Sequence, residues 1–379
     1  MQEKLTIWIP TKNRPDFILR LMKYYKNTGF RGYLFIGDSS EGECLEKNKE
    51  TIKNYNSFLQ INYCEFPDLR QGHVSAKLVP QIETEFSSFL PDDDLIITSS
   101  IDSCVQYLID HEAVSGVNGK SILFEVESGK AFGEIKSTHV YPLAHVLNST
   151  GQDRLAKTIS DLKCMNMCIN RTSNQKVIFE KVGKLAPLHS SYVYEELIGS
   201  IVTSIRGKIV QLPHLFLCRQ GHPNQFYHSI DVFDWFTDKD WYSAFKLAEQ
   251  TTIEELMNME GITEHVAKEK FKRIFWPYHA HHLTQSWESY RKENIEFKKN
   301  FNIKDFVLAR IKEVPGARQV AKKVRKFFNK LSSGSGNMSL PALLNPSSHH
   351  NKHFMPFYEI ITKKNISKKK SSFLFKNLL

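Results

Sequence analysis

The sequence predicts an α/β protein with a mostly parallel sheet flanked by helices, followed by a helical and basic C-terminal region. Three observations lead to this fold class. Short apolar, β-branched segments alternate with helix-like segments along the first part of the chain, which is typical of a parallel sheet with crossover helices. Polar residues gather where the predicted strands end. The pattern becomes helical from residue 232, and lysine and arginine accumulate beyond Lys268.

The N-terminal part alternates strand and helix in order. A polar turn at residues 11–15 follows the first predicted strand, and the next helix ends at Gly29. Another helix is predicted at residues 77–86, before the short apolar pair Phe89-Leu90. Short apolar runs predict buried parallel strands: residues 5–10, 33–38 and 59–64, with further strands at 121–126, 165–170 and 207–217.

The composition divides the chain into four parts. Helical periodicity extends from residue 232 to about 331. The next segment contains Ser-Ser-Gly-Ser-Gly and Asn-Pro-Ser-Ser-His-His, a composition typical of a flexible linker. We therefore predict an α/β domain at 1–230, a helical region with a basic amphipathic end at 231–331, a linker at 332–353 and a basic tail at 354–379. His349, His350 and His353 fall in the predicted linker, where we expect only nonspecific metal binding.

The composition also excludes several classes of protein. The polar start of the chain lacks the charged and apolar regions of a signal peptide. No run approaches the roughly 20 apolar residues that a membrane span requires. The six cysteines show no zinc-site spacing, which favours buried thiols in a reducing cytoplasm. We expect a soluble or peripheral protein.

The strongest chemical signal is Asp92-Asp93-Asp94, directly after an apolar segment. Adjacent carboxylates repel one another, so a folded chain seldom concentrates them without a compensating cation. At the end of a strand, Asp92 and Asp94 project to the same side and offer the oxygen ligands that suit Mg²⁺ or Mn²⁺. An ion held there neutralises a departing nucleoside diphosphate. The alternative is a solvated acidic turn or helix N-terminus.

Several blocks, in order from residue 5 to 222, resemble the inverting family 2 glycosyltransferases of the GT-A fold, which build bacterial surface polysaccharides. The acidic run resembles their DxD motif, and the Glu195-Glu196 pair resembles their Glu-Asp pair, with glutamate in the second place. The other blocks are Ile9-Pro10-Thr11-Lys12-Asn13-Arg14-Pro15, Gly37-Asp38-Ser39-Ser40, Cys168-Ile169-Asn170-Arg171 with Phe179-Glu180-Lys181-Val182-Gly183, and Leu217-Cys218-Arg219-Gln220-Gly221-His222.

The resemblance implies roles for residues that bind the nucleotide sugar. Thr11 and Arg14 would line the nucleotide pocket, and Asp38 would contact the base or the ribose. Lys77 would reach the diphosphate, although a solvated helix lysine is an equal interpretation. A UDP-type donor is favoured.

The resemblance also implies a metal site and a base. Asp92 would face the ribose and the metal, Asp93 would contribute to nucleotide-sugar binding, and Asp94 would be a direct metal ligand. His222 would bind metal or phosphate, because neutral imidazole tolerates a divalent ion; a lone histidine is otherwise more often structural. Glu196, with Glu195 second, would take the proton of the acceptor hydroxyl. The alternative for this pair is a helix face with two solvated acids.

The basic segment from Val320 to Leu331 has one apolar stripe against a cationic face, as in helices that lie on membrane surfaces. Bacterial enzymes of the family often use lipid-linked acceptors, which implies docking at the cytoplasmic face of the membrane. A helix that packs on the catalytic domain is the alternative.

The sequence thus favours an inverting glycosyltransferase that uses Mn²⁺ or Mg²⁺. Two other functions stay open. A nucleotidyltransferase uses similar carboxylates, but residues 11–15 contain no glycine, unlike the glycine- and arginine-rich loop usual in that class. A nucleic-acid-binding protein would fit the sequence pI of about 9.1, but the excess charge is concentrated in the tail.

Overall fold

A computed structural model describes residues 1–127, 129–163, 165–185, 187–188, 192–222, 232–294 and 338–362. Within these residues, nine strands form one sheet. The strands are β1 (Leu5–Thr11), β2 (Tyr33–Asp38), β3 (Gln60–Glu65), β4 (Phe86–Phe89), β5 (Leu95–Ile96), β6 (Val114–Val126), β7 (Ile135–Val140), β8 (Ile169–Arg171) and β9 (Lys208–Gly221).

The sheet has the order β3-β2-β1-β4-β8-β6-β9-β5, with β7 paired to β6. Strands β1 to β4 are mutually parallel, and β6 is parallel to β9. The antiparallel strands are β8, β7 and the short β5. The predicted mostly parallel sheet is therefore confirmed.

Helices cover the sheet and continue beyond it. They are α1 (Pro15–Asn27), α2 (Gly42–Tyr55), α3 (Gln71–Leu78), α4 (Thr98–Asp110), α5 (Gly151–Ser160), α6 (Thr172–Leu185), α7 (Tyr192–Arg206), α8 (Val232–Thr237), α9 (Trp241–Glu260), α10 (Glu264–Asn294) and α11 (Leu340–Leu344), followed by a helix α12 at residues 351–362. None of the described helices has both the length and the apolar character needed to cross a membrane.

The helix predicted at residues 77–86 is wrong. The α-helix in this region, α3, ends at Leu78 and passes into a 3₁₀ turn at Val79–Gln81, and β4 begins at Phe86. Pro80 lies inside that turn and has no backbone N–H to continue an α-helical hydrogen-bond pattern. Of the apolar residues in this stretch, Leu78 ends α3, Val79 lies in the turn and Phe86 begins the buried strand β4.

The described residues contain two large apolar cores. The first contains the sheet residues, such as Trp8 and Phe86, together with α1 and α4. The second is formed by α5, α6 and α7 packed on α8, α9 and α10, with Phe271 and Phe275 buried at its centre. The predicted boundary at residue 230 therefore runs between helices that share one core.

The structure describes residues 338–353 of the predicted linker, and this part of the chain packs against the first core. Met338, Leu343, Phe354 and Phe357 are buried in the first core, and Thr138 Oγ1 donates a hydrogen bond of 2.8 Å to the carbonyl oxygen of Met338. Burying such side chains contributes about 1.5–3 kcal/mol each, which outweighs the polar composition between them. The Ser-Gly part of the predicted linker, the Val320–Leu331 segment and the tail beyond residue 362 lie outside the described residues.

Candidate active site

Three buried aspartates lie at the carboxyl edge of the parallel strands. The chain leaves β4 alongside β1, where Leu90 N–H donates to the carbonyl oxygen of Trp8 at 3.0 Å. It then turns, with Asp94 N–H donating to the carbonyl oxygen of Pro91 at 3.1 Å, and enters β5, which pairs with β9. Asp92, Asp93 and Asp94 are 4%, 7% and 0% exposed. The alternative of a solvated acidic turn is therefore excluded.

Side chains from the end of β1 and the start of α1 hold the first two aspartates. Thr11 Oγ1 donates to Asp92 at 2.7 Å. Arg14 Nη1 donates to Asp92 at 3.0 Å and to Asp93 at 3.1 Å. Burial and the charge of Asp93 raise the pKa of Asp92 to about 6, against the opposing effect of Arg14. The predicted pocket residues Thr11 and Arg14 thus lie directly against the acidic run.

Asp94 is the least satisfied of the three. Its Oδ1 accepts the backbone N–H of Gln220 at 3.0 Å. Its buried Oδ2 accepts no hydrogen bond from the described residues, and Arg219 Nε lies 3.5 Å away. Burial, followed by the charge of Asp93, raises the pKa of Asp94 well above its usual value. This carboxylate needs a further cation or a proton, so the donor set fits a divalent metal ion.

His222 follows the end of β9 and contacts Asp93, the aspartate of the run that is not among the predicted metal ligands. Its Nε2 is 2.8 Å from Oδ2 of Asp93, and its ring stacks on Phe17 with 5.5 Å between centroids. Although burial opposes it, the His222 contact and the charge of Arg14 hold the pKa of Asp93 below its usual range. His222 is thus oriented by Asp93, and a direct bond from His222 to metal stays a prediction.

Arg20 was missed by the sequence reasoning. It is fully buried on α1 and donates to the carbonyl oxygens of Asp93 and Ala131 and to the side chain of Gln220. Burial lowers the pKa of Arg20 to about 10, against the charges of the three aspartates. A signal existed, because residue 20 lies three positions from Phe17 and four from Tyr24, and so shares a helix face with apolar residues. A charged residue on that face indicates a buried partner.

The substitution Arg20→Leu is expected to lower the free energy of unfolding by about 3 kcal/mol, since three buried acceptors lose a donor. Urea unfolding followed by circular dichroism measures the change. The matched control is Arg31→Leu, at an exposed arginine, which we expect to change stability by less than about 0.5 kcal/mol. Equal unfolding midpoints for the two variants would contradict this structural role for Arg20.

Three neighbouring groups donate hydrogen bonds to the carboxylate of Asp38. Its two carboxylate oxygens accept from Ser40 N–H at 2.7 Å, Asn48 Nδ2 at 2.8 Å and Tyr63 OH at 2.6 Å. These bonds fix the loop after β2 at the same edge as Thr11. Lys77 is exposed in the last turn of α3. Contact of Asp38 with a base or ribose, and of Lys77 with a diphosphate, stay predictions.

The two glutamates of α7 face different neighbours. The carboxylate of Glu195 lies against the backbone of Gly72 in the first turn of α3, so closely that a methyl group at Gly72 would collide with it. Glu196 lies towards Tyr278 of α10, where its charge adds to the effect of burial in raising the pKa of Tyr278 to about 12. The start of α3 follows β3 at the carboxyl edge of the sheet, so Glu195 is on the side of the aspartates.

Comparison with known proteins finds similar solved structures at low sequence identity. No protein-family model matches the chain, and no curated protein matches it. Residues 1–349 of Staphylococcus aureus TarS, solved in complex with UDP-GlcNAc, are similar with a TM-score of 0.49 and 14% identity, covering 78% of this chain and 77% of that one. The mannosyltransferase PcManGT of Pyrobaculum calidifontis, solved with GDP-Man and Mn²⁺, is similar with a TM-score of 0.41 and 10% identity, covering 85% and 84%.

Proposed function

We propose that the protein is an inverting glycosyltransferase that moves a sugar from a nucleoside diphosphate donor to an acceptor hydroxyl. The observation that carries this proposal is the buried aspartate run, with an unsatisfied Asp94 oxygen, at the carboxyl edge of a parallel sheet. Ligands of such sheets bind outside the carboxyl ends of the strands. The motifs that resemble family 2 enzymes contribute Thr11, Arg14 and His222 to the same edge.

Asp94 and Asp92 would hold Mg²⁺ or Mn²⁺, the hard cations that carboxylate oxygens prefer and that bind with few protein ligands plus substrate phosphates. Bound there, the ion would neutralise charge on the departing diphosphate. Arg14 and Arg219 border the same carboxylates, and their guanidinium groups would bind phosphate oxygens. Thr11 and Arg14 orient Asp92, while the carbonyl oxygen of Asp93 is held by Arg20.

An inverting transfer also needs a carboxylate to accept the proton of the attacking hydroxyl. The resemblance favours Glu196, whereas the contact of Glu195 with the start of α3 supports Glu195. Glu195 would act on an acceptor bound between α7 and the sheet edge, and Glu196 on one bound on the side of α10.

Thermal stability tests the donor site. The melting temperature is measured with a panel of nucleoside diphosphates and nucleotide sugars, each with Mn²⁺, with Mg²⁺ and with EDTA. Stabilisation by one nucleoside diphosphate and its sugars, dependent on metal, supports the proposal; a UDP compound is expected. No response to any nucleotide with either metal contradicts it. Release of pyrophosphate from a nucleoside triphosphate would instead support a nucleotidyltransferase.

The acceptor is proposed to be a lipid-linked surface glycan, reached from the cytoplasmic face of the membrane. Helix α10 supports docking on such a surface, because Trp276, Leu283 and Trp287 lie on one face at helical spacing and are 69%, 43% and 59% exposed. Tryptophan favours the boundary between lipid and water. The chain after α10 is rich in lysine and arginine, each worth about 1 kcal/mol near an anionic surface.

Cosedimentation with vesicles that contain anionic phospholipid tests this docking. The double variant Trp276→Ser/Trp287→Ser is expected to bind at least about tenfold more weakly, since two interfacial aromatic side chains are lost. Replacement of Lys322, Lys323, Arg325 and Lys326 by glutamine is expected to weaken the dependence on anionic lipid, and it leaves the buried segment from Met338 onward in place. The control is Phe58→Ser, an aromatic residue of similar exposure after α2. Equal binding of the double variant and the control would contradict docking through α10.

A further inference from the structure

Three histidines, one from β9 and two from the C-terminal segment, meet on the face of the sheet that this segment covers. His214 belongs to β9, and His349 and His353 lie just before and within α12. One ligand nitrogen from each lies within 4.8 Å of the others. We call these residues the histidine cluster. His214 is 135 positions from His349, so the fold, and not a run of adjacent histidines, creates the cluster.

The buried member is oriented as a metal ligand would be. His353 is 6% exposed, and its Nδ1 lies 2.6 Å from Ser99 Oγ of α4. Its Nε2 is buried and has no hydrogen-bond partner among the described residues. Metal-bound histidines typically bond one ring nitrogen to a neighbouring group, which fixes the tautomer and leaves the other nitrogen for the metal. Ser99 supplies that bond.

The other two histidines of the cluster would supply the second and third nitrogen ligands. Nδ1 of the half-buried His214 also has no hydrogen-bond partner among the described residues. The three rings are tilted, with centroids 5.6 to 6.2 Å apart, and do not stack face to face. His349 is exposed, so its ring is free to rotate and close the donor separations to the shorter values that bonds of about 2.0–2.1 Å to zinc require.

We propose that the histidine cluster binds one zinc ion, or another borderline divalent transition metal, with water in the remaining position. Imidazole nitrogens favour zinc over the hard cations that the aspartates suit. The exposed Lys352 is the adjacent cation, and solvent screens its charge. This site is separate from the proposed transfer reaction and from the aspartate run.

The ion would fasten the C-terminal segment to the sheet. It would join β9 to the turn that starts α12, while the far end of α12 is already bonded, because Gly133 N–H donates to the carbonyl oxygen of Ile361 at 3.0 Å. The same loop supplies the carbonyl oxygen of Ala131 to Arg20. A clamp at the histidine cluster would therefore stabilise a helix that contacts the loop beside the aspartates.

Metal titration of the full chain, purified without a histidine tag, tests the site. The probe is Zn²⁺ alone, followed by calorimetry in saturating Mg²⁺, which occupies carboxylate sites without competing for imidazole. We expect one zinc ion per chain. Since loss of an outer partner alone costs 10–100-fold in affinity, His349→Ala is expected to weaken binding by at least about 100-fold. Co²⁺ is expected to give the visible absorption of a tetrahedral nitrogen site in the wild type and not in His349→Ala.

The matched control is His265→Ala, which removes an exposed histidine of α10 and is expected to bind zinc as the wild type does. His349 is exposed, so its loss leaves the core intact; the melting temperature without metal checks this. Zinc is expected to raise the melting temperature of the wild type and of His265→Ala, and not that of His349→Ala. Equal zinc affinity in His349→Ala and His265→Ala, or wild-type protein that binds no zinc, would overturn the proposal.

Discussion

The Asp94→Ala variant is expected to lose all metal-dependent stabilisation by nucleoside diphosphates. In the wild type, a ligand at 100 times its dissociation constant adds about 2.7 kcal/mol, which for a chain of this size raises the melting temperature by about 4 °C. Asp94 carries the carboxylate oxygen that accepts no hydrogen bond from the described residues. Without that oxygen the proposed ion would lose its principal charged ligand, and the diphosphate would lose the ion.

The same substitution is expected to lower the free energy of unfolding of the metal-free protein by about 1–3 kcal/mol. The fully buried Asp94 accepts the Gln220 N–H and lies beside Arg219, and both groups lose an interaction when the carboxylate is removed. Asp110→Ala, at an exposed position ending α4, is the control and should keep the full response. A nucleotide response in Asp94→Ala equal to that of the control would contradict the assignment of the metal site.

The residues at the carboxyl edge of the sheet were predictable because each strand can be recognised from a few consecutive residues. The composition of residues 5–10 and 33–38 alone predicts buried strands. Parallel strands bring their carboxyl ends to one edge, whatever chain connects them. Thr11 and Arg14 are therefore found in contact with Asp92, although they lie 81 and 78 positions from it in the sequence. The hydrogen-bond donor of each carboxylate was not predictable. Tyr63 and Asn48 donate to Asp38 only because the fold places β3 and α2 beside the end of β2.

The C-terminal segment shows where composition misleads. Residues 345–350 are polar and read as a linker, but Leu343 on one side and Phe354 on the other bury themselves against the sheet. A short apolar helix can pack on any sheet face that no other element covers. The periodicity of the sequence does not show which face is uncovered. The docking of this segment brings His349 and His353 to His214, a proximity that no spacing in the sequence indicates.

The two glutamates of α7 provide the sharpest test of the chemistry. Glu196→Gln is expected to reduce sugar transfer by about 10²–10⁴-fold, because an amide cannot take the proton of the acceptor hydroxyl. Nucleotide binding, measured by thermal stability, should be unchanged, since the aspartate run is intact. Glutamine matches glutamate in size, so the contacts of α7 with α3 and α10 are retained in either variant.

Glu195→Gln is the matched comparison, since it makes the same chemical change one position away on a different face of the helix. If Glu195→Gln is the inactive variant and Glu196→Gln retains transfer, the base is the carboxylate beside Gly72, at the sheet edge. If both variants transfer sugar at the wild-type rate while binding the nucleotide, neither glutamate is the base. The contact of Glu195 with α3 and the position of Glu196 near Tyr278 would then serve only to pack α7.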